Sequence, residues 1–418
     1  MIFIVINLMK ATLGIKIPTV FAYYSTRMIL AALTSLFLSI FLGPFFIRKL
    51  YELKIGQPIR TDDCPLLGQL HEKKKDTPTM GGILILASML ISMFLWMDLT
   101  HVFTLILFLT TLFLGLLGGR DDYLKLKYKN TKGISGRKKM LVQVGLSSLL
   151  ALYLFCPAVN QGLQMGSWYA PPVAKEQISK GPSDLAKVSE VSIRDSVEPT
   201  MQTLSLQEYA SRLYFPFFKD PVIVFGGLFS IVGGILIVFI ITGSSNAANL
   251  TDGLDGLLAG CLIMVASSLA FIAFMSNNVD LASYLHILYI EGSGEIAIYL
   301  CACIGACLGF LWYNGHPAQV FMGDTGSLAL GGVIGVSAIL LKREILLAII
   351  GGIFVAEAMS VILQVGSFKL RNKKRIFLCA PLHHHFEYKG WAETKVVMRF
   401  WIVGLLLAIV GIASLKFQ

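Results

Sequence analysis

The sequence has few charged residues for its length. Only 14% of its 418 residues are Asp, Glu, Lys or Arg, whereas soluble domains contain about 25%. Because 55% of the residues are hydrophobic, the chain also has too much apolar surface to stay disordered in water. These values exclude an ordinary soluble enzyme and a disordered chain, and they predict a polytopic membrane protein.

Cysteine is also scarce, with seven residues in no regular pattern. Cys301, Cys303 and Cys307 lie together in an apolar stretch, but their spacing does not suit a metal, so packing is the better interpretation. The formal net charge of +10 suits a cytoplasmic membrane surface or anionic substrates. No basic soluble domain is present, which excludes nucleic-acid binding. The lack of a Gly-Lys-Ser/Thr ending excludes a P-loop ATPase.

Ten apolar runs are long enough to cross a bilayer, which predicts an all-α fold with one integral-membrane domain over residues 1–418. Residues 1–26 are apolar but interrupted by two lysines and a proline, which favours an interfacial helix over a signal peptide. Residues 158–220 are polar and predict a small external insertion. The predicted spans are 28–47, 80–98, 102–119, 139–157, 221–243, 253–275, 295–313, 322–341, 345–367 and 396–415.

Positive charge predicts the orientation of these spans. The connections after odd-numbered spans hold 23 of the 35 Lys and Arg residues, and cytoplasmic connections are enriched in these residues. We therefore expect the odd connections in the cytoplasm and both termini on the periplasmic side.

An aspartate pair follows the third predicted span. Asp121 and Asp122 come after Gly118-Gly119-Arg120, and Lys125 follows. Adjacent carboxylates repel each other unless a cation lies between them or one takes up a proton, so a divalent metal and a phosphate would fit here. A solvated helix end with neutralising lysines explains the pair equally well, so the pair alone leaves both interpretations open.

Oxygen-bearing side chains recur every three residues after the fifth span. On a helix, Asn249, Asp252 and Asp255 would lie along one face, with Asn246 beside them. A capping aspartate followed by turn glycines explains one of these residues but not three aligned oxygens. The spacing therefore predicts a polar face that binds a ligand.

Three further motifs carry polar groups. The run Gly323-Asp-Thr-Gly-Ser327 offers a carboxylate, two hydroxyls and free N–H groups at a helix start, which suits metal-bound phosphate. Three consecutive histidines, His383–His385, form another motif. Adjacent residues do not easily point at one ion, so hydrogen bonds from these histidines to phosphate or sugar oxygens are favoured over zinc binding. A basic run, 73–75, precedes the Gly-rich start of the second span. All five clusters fall on the predicted cytoplasmic side, which predicts one site there for a metal and phosphates.

These motifs closely resemble the polyprenyl-phosphate N-acetylhexosamine-1-phosphate transferase superfamily and, within it, the phospho-N-acetylmuramoyl-pentapeptide transferase family. The aspartate pair and the Asn-Leu-Thr-Asp-Gly-Leu-Asp-Gly run are typical of the whole superfamily. The triple-histidine run is typical of the muramoyl-pentapeptide branch. The matching runs are TPTMGG (77–82), DDYLK (121–125), NAANLTDGLDGL (246–257), FMGDTGS (321–327) and PLHHHFE (381–387).

The resemblance implies a reaction in the inner membrane of a bacterial cell. Undecaprenyl phosphate attacks the β-phosphate of UDP-N-acetylmuramoyl-pentapeptide, UMP leaves, and lipid I stays in the membrane. The family also implies Mg²⁺ as cofactor and a homodimer. Transfer between two anions needs charge neutralisation and alignment, and Mg²⁺ takes oxygen ligands and binds phosphates, so the motifs fit this chemistry.

The resemblance also implies the role of each residue. Asp324 becomes the principal Mg²⁺ ligand, with Asp252 as a further ligand, and Asp121 and Asp122 handle the lipid phosphate. Asp121 is the better candidate for the base, and a covalent intermediate on an aspartate stays open. Phe321 and Asn314 match positions that hold uracil. The implied substrate contacts are Lys74, Thr79, Lys125, Arg137, Asn246, Asn249, Asp252, Asp255, Asn314, Phe321, Gln364, His383, His384 and His385.

Two positions depart from the family pattern. Arg120 replaces an apolar or small residue, and it either pairs with a carboxylate or points to the lipid headgroups. Arg137 stands where the family has a lysine near the uridine, although Lys132 and Lys138 lie close to that position. These departures affect the choice of base and the uridine contacts.

Two other functions compete with this interpretation. An ion-coupled transporter would place its acidic residues near the bilayer midplane at a repeat interface, whereas these clusters lie at one face. A transferase that uses UDP-N-acetylglucosamine fits the superfamily, but the triple-histidine run argues against it.

Overall fold

A computed structural model describes residues 19–53, 77–128, 133–177, 201–371 and 373–417. Within these ranges nine helices are long and apolar enough to cross a membrane, so the protein is a mostly helical, polytopic membrane protein, as predicted. The second predicted span corresponds to a shorter apolar helix of 15 residues. The predicted interfacial helix over residues 1–26 lies mostly outside the described residues.

Helices form along the apolar runs because a helix satisfies its own backbone hydrogen bonds where water is absent. Single 3₁₀ turns cover Thr19–Ala22 and Gly227–Phe229. In chain order the α-helices are α1 (Tyr24–Glu52), α2 (Gly82–Trp96), α3 (Val102–Lys127), α4 (Gly136–Phe155), α5 (Pro157–Leu163), α6 (Leu206–Ser211), α7 (Ser230–Thr251), α8 (Leu257–Ser276), α9 (Val279–Tyr284), α10 (Ser293–Asn314), α11 (Gly323–Leu340), α12 (Glu344–Ile350), α13 (Gly352–Leu370), α14 (Leu382–Tyr388) and α15 (Glu393–Ala413).

Helix α11 lies at the centre of the bundle. It packs against α3 and α7, while α10 packs against α1 and α8. Every residue of α11 from Thr325 to Leu340 is buried, whereas α1 exposes large apolar side chains such as Phe41 and Phe45. Apolar side chains on the outer helices suit contact with lipid chains, and the buried central helix provides a fixed base for the site at its N-terminus.

Several helix boundaries differ from the apolar runs. Helix α3 continues from the predicted end at residue 119 to Lys127, and α7 continues from 243 to Thr251. The predicted start of α7 at residue 221 is wrong, because residues 221–229 contain a short strand and a 3₁₀ turn. The ninth predicted span is divided between α12 and α13 at Gly351. Backbone hydrogen bonding does not require apolar side chains, so a helix can outlast its apolar run.

The predicted helical face of Asn249, Asp252 and Asp255 is wrong. Helix α7 ends at Thr251 with Asp252 as its C-cap, and a turn leads from there into α8. Gly256 has a φ of +76°, in the left-handed region that favours glycine. Asp252 and Asp255 therefore reach the site from a turn, which we call the 252–256 loop.

The connections add two small antiparallel sheets, which modifies the all-α prediction outside the membrane-crossing helices. The strands are β1 (Ala174–Gln177), β2 (Met201–Leu204), β3 (Arg212–Leu213), β4 (Ile223–Val224) and β5 (Tyr289–Ile290). One sheet has the order β2-β1-β5 and the other pairs β3 with β4. Ala174 lies opposite Leu204 and Ile290 in the first sheet. Residues 178–200 of the predicted 158–220 insertion lie outside the described residues.

Candidate active site

Three aspartates from two helices meet at one end of the bundle. One carboxylate oxygen from each of Asp121, Asp122 and Asp324 lies within 4.8 Å of the other two. The first two residues are near the end of α3 and Asp324 is in the first turn of α11. The helices approach closely at Gly118, where a Cβ atom would collide with the backbone oxygen of Asp324. Two sequence motifs that are far apart in the chain thus form one acidic cluster.

Two lysines lie between these carboxylates. Lys125 Nζ is 2.7 Å from Asp121 Oδ2 and 3.1 Å from Asp324 Oδ2. Lys139 Nζ is 2.7 Å and 2.6 Å from the same two oxygens. The ammonium groups offset the repulsion between the carboxylates. Sequence reasoning missed Lys139, although a lysine at the first residue of the predicted span 139–157 was a signal that it needed a partner.

Asp122 holds the N-terminus of α11. Its Oδ2 accepts hydrogen bonds from the backbone N–H of Thr325 at 2.9 Å and from the Thr325 hydroxyl at 2.7 Å, and its Oδ1 accepts from the Asp324 N–H at 3.2 Å. A carboxylate in this place satisfies N–H groups that have no partner within the helix. Gly323 precedes them with a φ of +73°, and a Cβ there would lie 2.8 Å from both Asp122 Oδ2 and Thr79 Oγ1. Asp122 is therefore fixed from several sides.

Asp121 is completely buried. Besides the two lysines, its carboxylate accepts a hydrogen bond from the backbone N–H of Ile134 at 2.6 Å. Arg120 is exposed, which favours the interpretation that it points to the lipid headgroups. The charge of Asp121 is thus balanced by Lys125 and Lys139.

Asn249 links α7 to α11. Its Nδ2 donates hydrogen bonds to Asp324 Oδ1 at 2.9 Å and to Ser327 Oγ at 2.8 Å. Asp252 Oδ2 accepts from the backbone N–H of Gly323 at 3.2 Å. Burial, with added repulsion from the neighbouring aspartates, raises the pKa of Asp252 to about 7. Asp252 thus lies beside the acidic cluster, outside the three carboxylates that converge most closely.

The donor set of this cluster fits a divalent metal. Several carboxylate oxygens converge, and the positive charges of Lys125 and Lys139 already lie between them. Mg²⁺ prefers oxygen ligands and binds through one or two carboxylates together with substrate phosphates. The acidic cluster therefore offers ligands for such an ion and cationic groups for phosphate.

The Thr-Pro-Thr segment pairs with the start of α11. The Phe321 N–H donates to Pro78 O at 2.8 Å, and the Gly81 N–H donates to Phe321 O at 2.8 Å. These bonds bury Thr79 beside the cluster, and its contact with substrate stays a prediction. Lys74 lies outside the described residues.

Asn314 connects two loops on the predicted uridine side. Its Oδ1 accepts from the Gly256 N–H at 3.0 Å, and its Nδ2 donates to Val320 O at 2.8 Å. Phe321 follows and is half-buried. Both ends of the Asn314 amide thus hold the backbone next to Phe321 and the 252–256 loop.

Asp255 belongs to a second group of polar side chains. Its buried Oδ2 lies 3.0 Å from His316 Nδ1 and accepts from the Ala318 N–H at 3.1 Å. Its own N–H donates to Glu393 Oε1 at 2.8 Å. These contacts hold the loop against the start of α15, and His316 and Glu393 were not among the predicted site residues.

Three predicted contact residues lie away from the carboxylates or bind protein groups. Asn246 Nδ2 donates to Gln143 Oε1 on α4 at 2.8 Å. Gln364 on α13 holds the following loop, accepting from the Phe377 N–H at 2.9 Å. Arg137 is exposed at the start of α4. Their contacts with substrate stay predictions.

The three histidines point in different directions. His383 lies against Glu357 on α13, with 3.2 Å between Nδ1 and Oε1. His384 Nδ1 is 2.7 Å from a carboxylate oxygen of Glu387, and His385 Nδ1 accepts from a backbone N–H of the preceding loop at 3.1 Å. Two groups of side chains in the described part of the chain could hold a metal ion. They are Asp121, Asp122 and Asp324, and Asp255, His316 and Glu393, and the three histidines belong to neither group.

The fold and the acidic cluster define a membrane-embedded transferase. The family model "Glycosyl transferase family 4" matches residues 200–342, which include α7, α8, α10 and α11. The "Phospho-N-acetylmuramoyl-pentapeptide-transferase signature 1" matches residues 74–86.

Three relatives named phospho-N-acetylmuramoyl-pentapeptide-transferase define the family more closely. The protein of Protochlamydia amoebophila (strain UWE25) is 70% identical over 418 residues, covering 100% of both chains. Those of Desulfotalea psychrophila and Thermodesulfovibrio yellowstonii are 43% and 44% identical over 399 residues, covering 96% of this chain and 95% of each relative. The chain belongs to the phospho-N-acetylmuramoyl-pentapeptide transferase family, the transferases of peptidoglycan synthesis.

Proposed function

We propose that the protein transfers phospho-N-acetylmuramoyl-pentapeptide from UDP-N-acetylmuramoyl-pentapeptide to undecaprenyl phosphate, giving lipid I and UMP. The observation that carries this proposal is the meeting of Asp121, Asp122 and Asp324 with Lys125 and Lys139. The names of the relatives support a muramoyl-pentapeptide donor.

Both substrates carry negative phosphate groups, so the site must reduce their repulsion. Lys125 and Lys139 donate to the carboxylates of Asp121 and Asp324 and can shift these hydrogen bonds to phosphate oxygens. Preorganised positive charge of this kind is a main source of catalysis in phosphoryl transfer. We assign this role to both lysines.

Asp324 and Asp252 would hold Mg²⁺, with Asp121 and Asp122 beside it. When bound, the ion supplies positive charge to the diphosphate of the donor. Asn249 keeps Asp324 oriented through its 2.9 Å hydrogen bond.

Asp121 is the residue that we assign to the proton of the acceptor phosphate. Both oxygens of Asp122 accept hydrogen bonds from the first residues of α11, so Asp122 serves to position that helix. Among the described residues, the ammonium groups of Lys125 and Lys139 both contact the Oδ2 of Asp121. When a lysine moves to a phosphate oxygen, this Oδ2 becomes available to accept a proton.

The nucleotide lies on the side of the 252–256 loop in this proposal. Phe321 stacks on uracil and Asn314 lies next to it, while Asn249 and Asp255 flank the ribose and diphosphate. The further contacts proposed for the phosphates, the amino sugar and the cleft walls are Lys74, Thr79, Arg137, Asn246, Gln364, His383, His384 and His385.

We also propose that the whole chain is one domain in the bacterial inner membrane. The cleft faces the cytoplasm, both termini are periplasmic, and two copies form a homodimer. The distribution of 23 of 35 Lys and Arg residues on one side supports the orientation.

The test is an assay of purified protein with undecaprenyl phosphate and two donors side by side. UDP-N-acetylmuramoyl-pentapeptide should give UMP and a lipid-linked product, and UDP-N-acetylglucosamine should give neither. EDTA should abolish the reaction, and Mg²⁺ or Mn²⁺ should restore it. Preference for UDP-N-acetylglucosamine would contradict the proposed donor, and full turnover without metal would contradict the metal assignment.

A further inference from the structure

Glu357 is a buried carboxylate in a membrane-crossing helix, and the mechanism above does not use it. It lies in the second turn of α13 and is 0% exposed. Its Oε1 accepts a hydrogen bond from the His383 backbone N–H at 3.2 Å, and the same oxygen is 3.2 Å from His383 Nδ1. An acidic side chain within a membrane-crossing helix is unfavourable unless it is paired. The contact between Glu357 and His383 therefore calls for a functional explanation.

The imidazole of His383 fills the space beneath the 252–256 loop. The residue is 0% exposed, and a Cβ atom on Gly253 would collide with its Nε2. Within the described residues, neither ring nitrogen is aligned for a hydrogen bond, so the nearby carboxylate is the polar group that can orient the ring. Asp252 and Asp255 flank Gly253 in the loop above it.

We propose that Glu357 is a positioning residue for the nucleotide side of the site. It holds His383 with Nδ1 toward α13 and Nε2 toward Gly253, and it thereby sets the position of the 252–256 loop. A carboxylate beside one ring nitrogen fixes both the orientation of a histidine and the place of its proton. This inference rests on the proposed function, because that function assigns the loop to the UDP-sugar.

Two substitutions at Glu357 test this role. Glu357→Met removes the acceptor at similar size and should raise the Kd and KM for the UDP-sugar about tenfold, with an unchanged KM for undecaprenyl phosphate. Glu357→Gln keeps an acceptor oxygen and should stay within about threefold of the wild type. Ser360→Ala is the matched control, because Ser360 is buried on the same helix and donates to the backbone oxygen of Glu357 at 2.7 Å. It should leave both constants unchanged.

A double-mutant cycle separates positioning from a structural role. In a His383→Ala background, Glu357→Met should weaken binding of the UDP-sugar clearly less than it does in the wild type, because the part of its effect that acts through the imidazole is already lost and only the hydrogen bond to the backbone N–H of residue 383 remains to be removed. Three results would each overturn the inference. They are a loss of UDP-sugar affinity in the His383→Ala background equal to that in the wild type, a tenfold loss of this affinity in Glu357→Gln, and an equal loss of affinity for both substrates. The Kd is measured without acceptor lipid. A wild-type protein that binds the UDP-sugar but forms no lipid product would therefore contradict the proposed function alone.

Discussion

Lys139 Nζ lies 2.6 Å from Asp324 Oδ2, although 185 positions separate the two residues in the chain. The same ammonium group is 2.7 Å from Asp121 Oδ2. One side chain on α4 thus joins carboxylates from α3 and α11. Because these carboxylates repel each other without a cation between them, α4 is part of the site as well as part of the membrane bundle.

Loss of this lysine should reduce catalysis strongly. Lys139→Ala should lower kcat/KM by about 10²-fold or more, because a preorganised cationic donor is lost from the phosphate site. Lys127→Ala is the matched control, since Lys127 is an exposed lysine at the end of α3, and it should change the rate by no more than about twofold. The rate of UMP release measures kcat/KM for both variants. Equal losses in the two variants would show that Lys139 has no special position.

Metal affinity should depend on pH through Asp252, whose pKa is raised to about 7. A carboxylate must lose its proton to bind a metal ion, and this one is protonated below its pKa and ionised above it. The affinity for Mg²⁺ should therefore increase from about pH 6 to about pH 8. Asp252→Asn should weaken Mg²⁺ activation and remove the pH-dependent increase. Wild-type Mg²⁺ affinity that stays constant over this range would count against Asp252 as a ligand.

Asp121 and Phe321 should separate chemistry from binding. Asp121→Asn should lower kcat by about 10²–10⁴-fold, the range for loss of a general base, with little change in UDP-sugar affinity. Phe321→Ala should instead weaken nucleotide binding, since stacking on a base contributes about 1–3 kcal/mol. Steady-state kinetics and nucleotide titration measure the two effects. The Arg120→Ala, Asp121→Asn pair is the control, because it excludes compensation by the neighbouring guanidinium. Near-normal kcat for Asp121→Asn in both backgrounds would rule out Asp121 as the base.

The turn before α11 should require glycine. Gly323→Ala places a Cβ 2.8 Å from Asp122 Oδ2 and Thr79 Oγ1 at a φ of +73°, and left-handed backbone alone disfavours alanine by about 1–2 kcal/mol. The unfolding temperature and the activity should both fall. Gly366→Ala is the control, because no described residue lies within 4 Å of its Cβ position and alanine favours the helix. A Gly323→Ala protein as stable and active as wild type would show that the turn adapts.

The orientation is open to a labelling test. In a background without native cysteines, Lys127→Cys should react with an impermeant maleimide only from the cytoplasmic side. Gln161→Cys, at an equally exposed position on α5, should react only from outside, because the positively charged connections face the cytoplasm. Reversed labelling would overturn the orientation and place the acidic cluster on the other face.

The sequence alone determined most of the membrane architecture. A bilayer requires about 20 apolar residues per crossing helix, so every predicted span contains a helix in the structure. Free N–H groups at a helix start attract an acidic residue, so the position of Asp324 in the first turn of α11 was also readable from its motif. Both features depend only on residues that are neighbours in the sequence, so they can be predicted from a single segment of the chain.

Only the tertiary structure decided which side chains meet. Arg137 and Lys139 are about 200° apart around a helix, and the packing of α4 on α7 selects Lys139 for the carboxylates. The course of the chain after Asn249 likewise depends on a turn at Gly256, whose N–H binds Asn314 from α10, so spacing alone predicted a helical face that does not exist. An acidic residue within a span signals that it needs a partner. The sequence could not name His383 as the partner of Glu357, because this contact depends on how α14 folds back against α13.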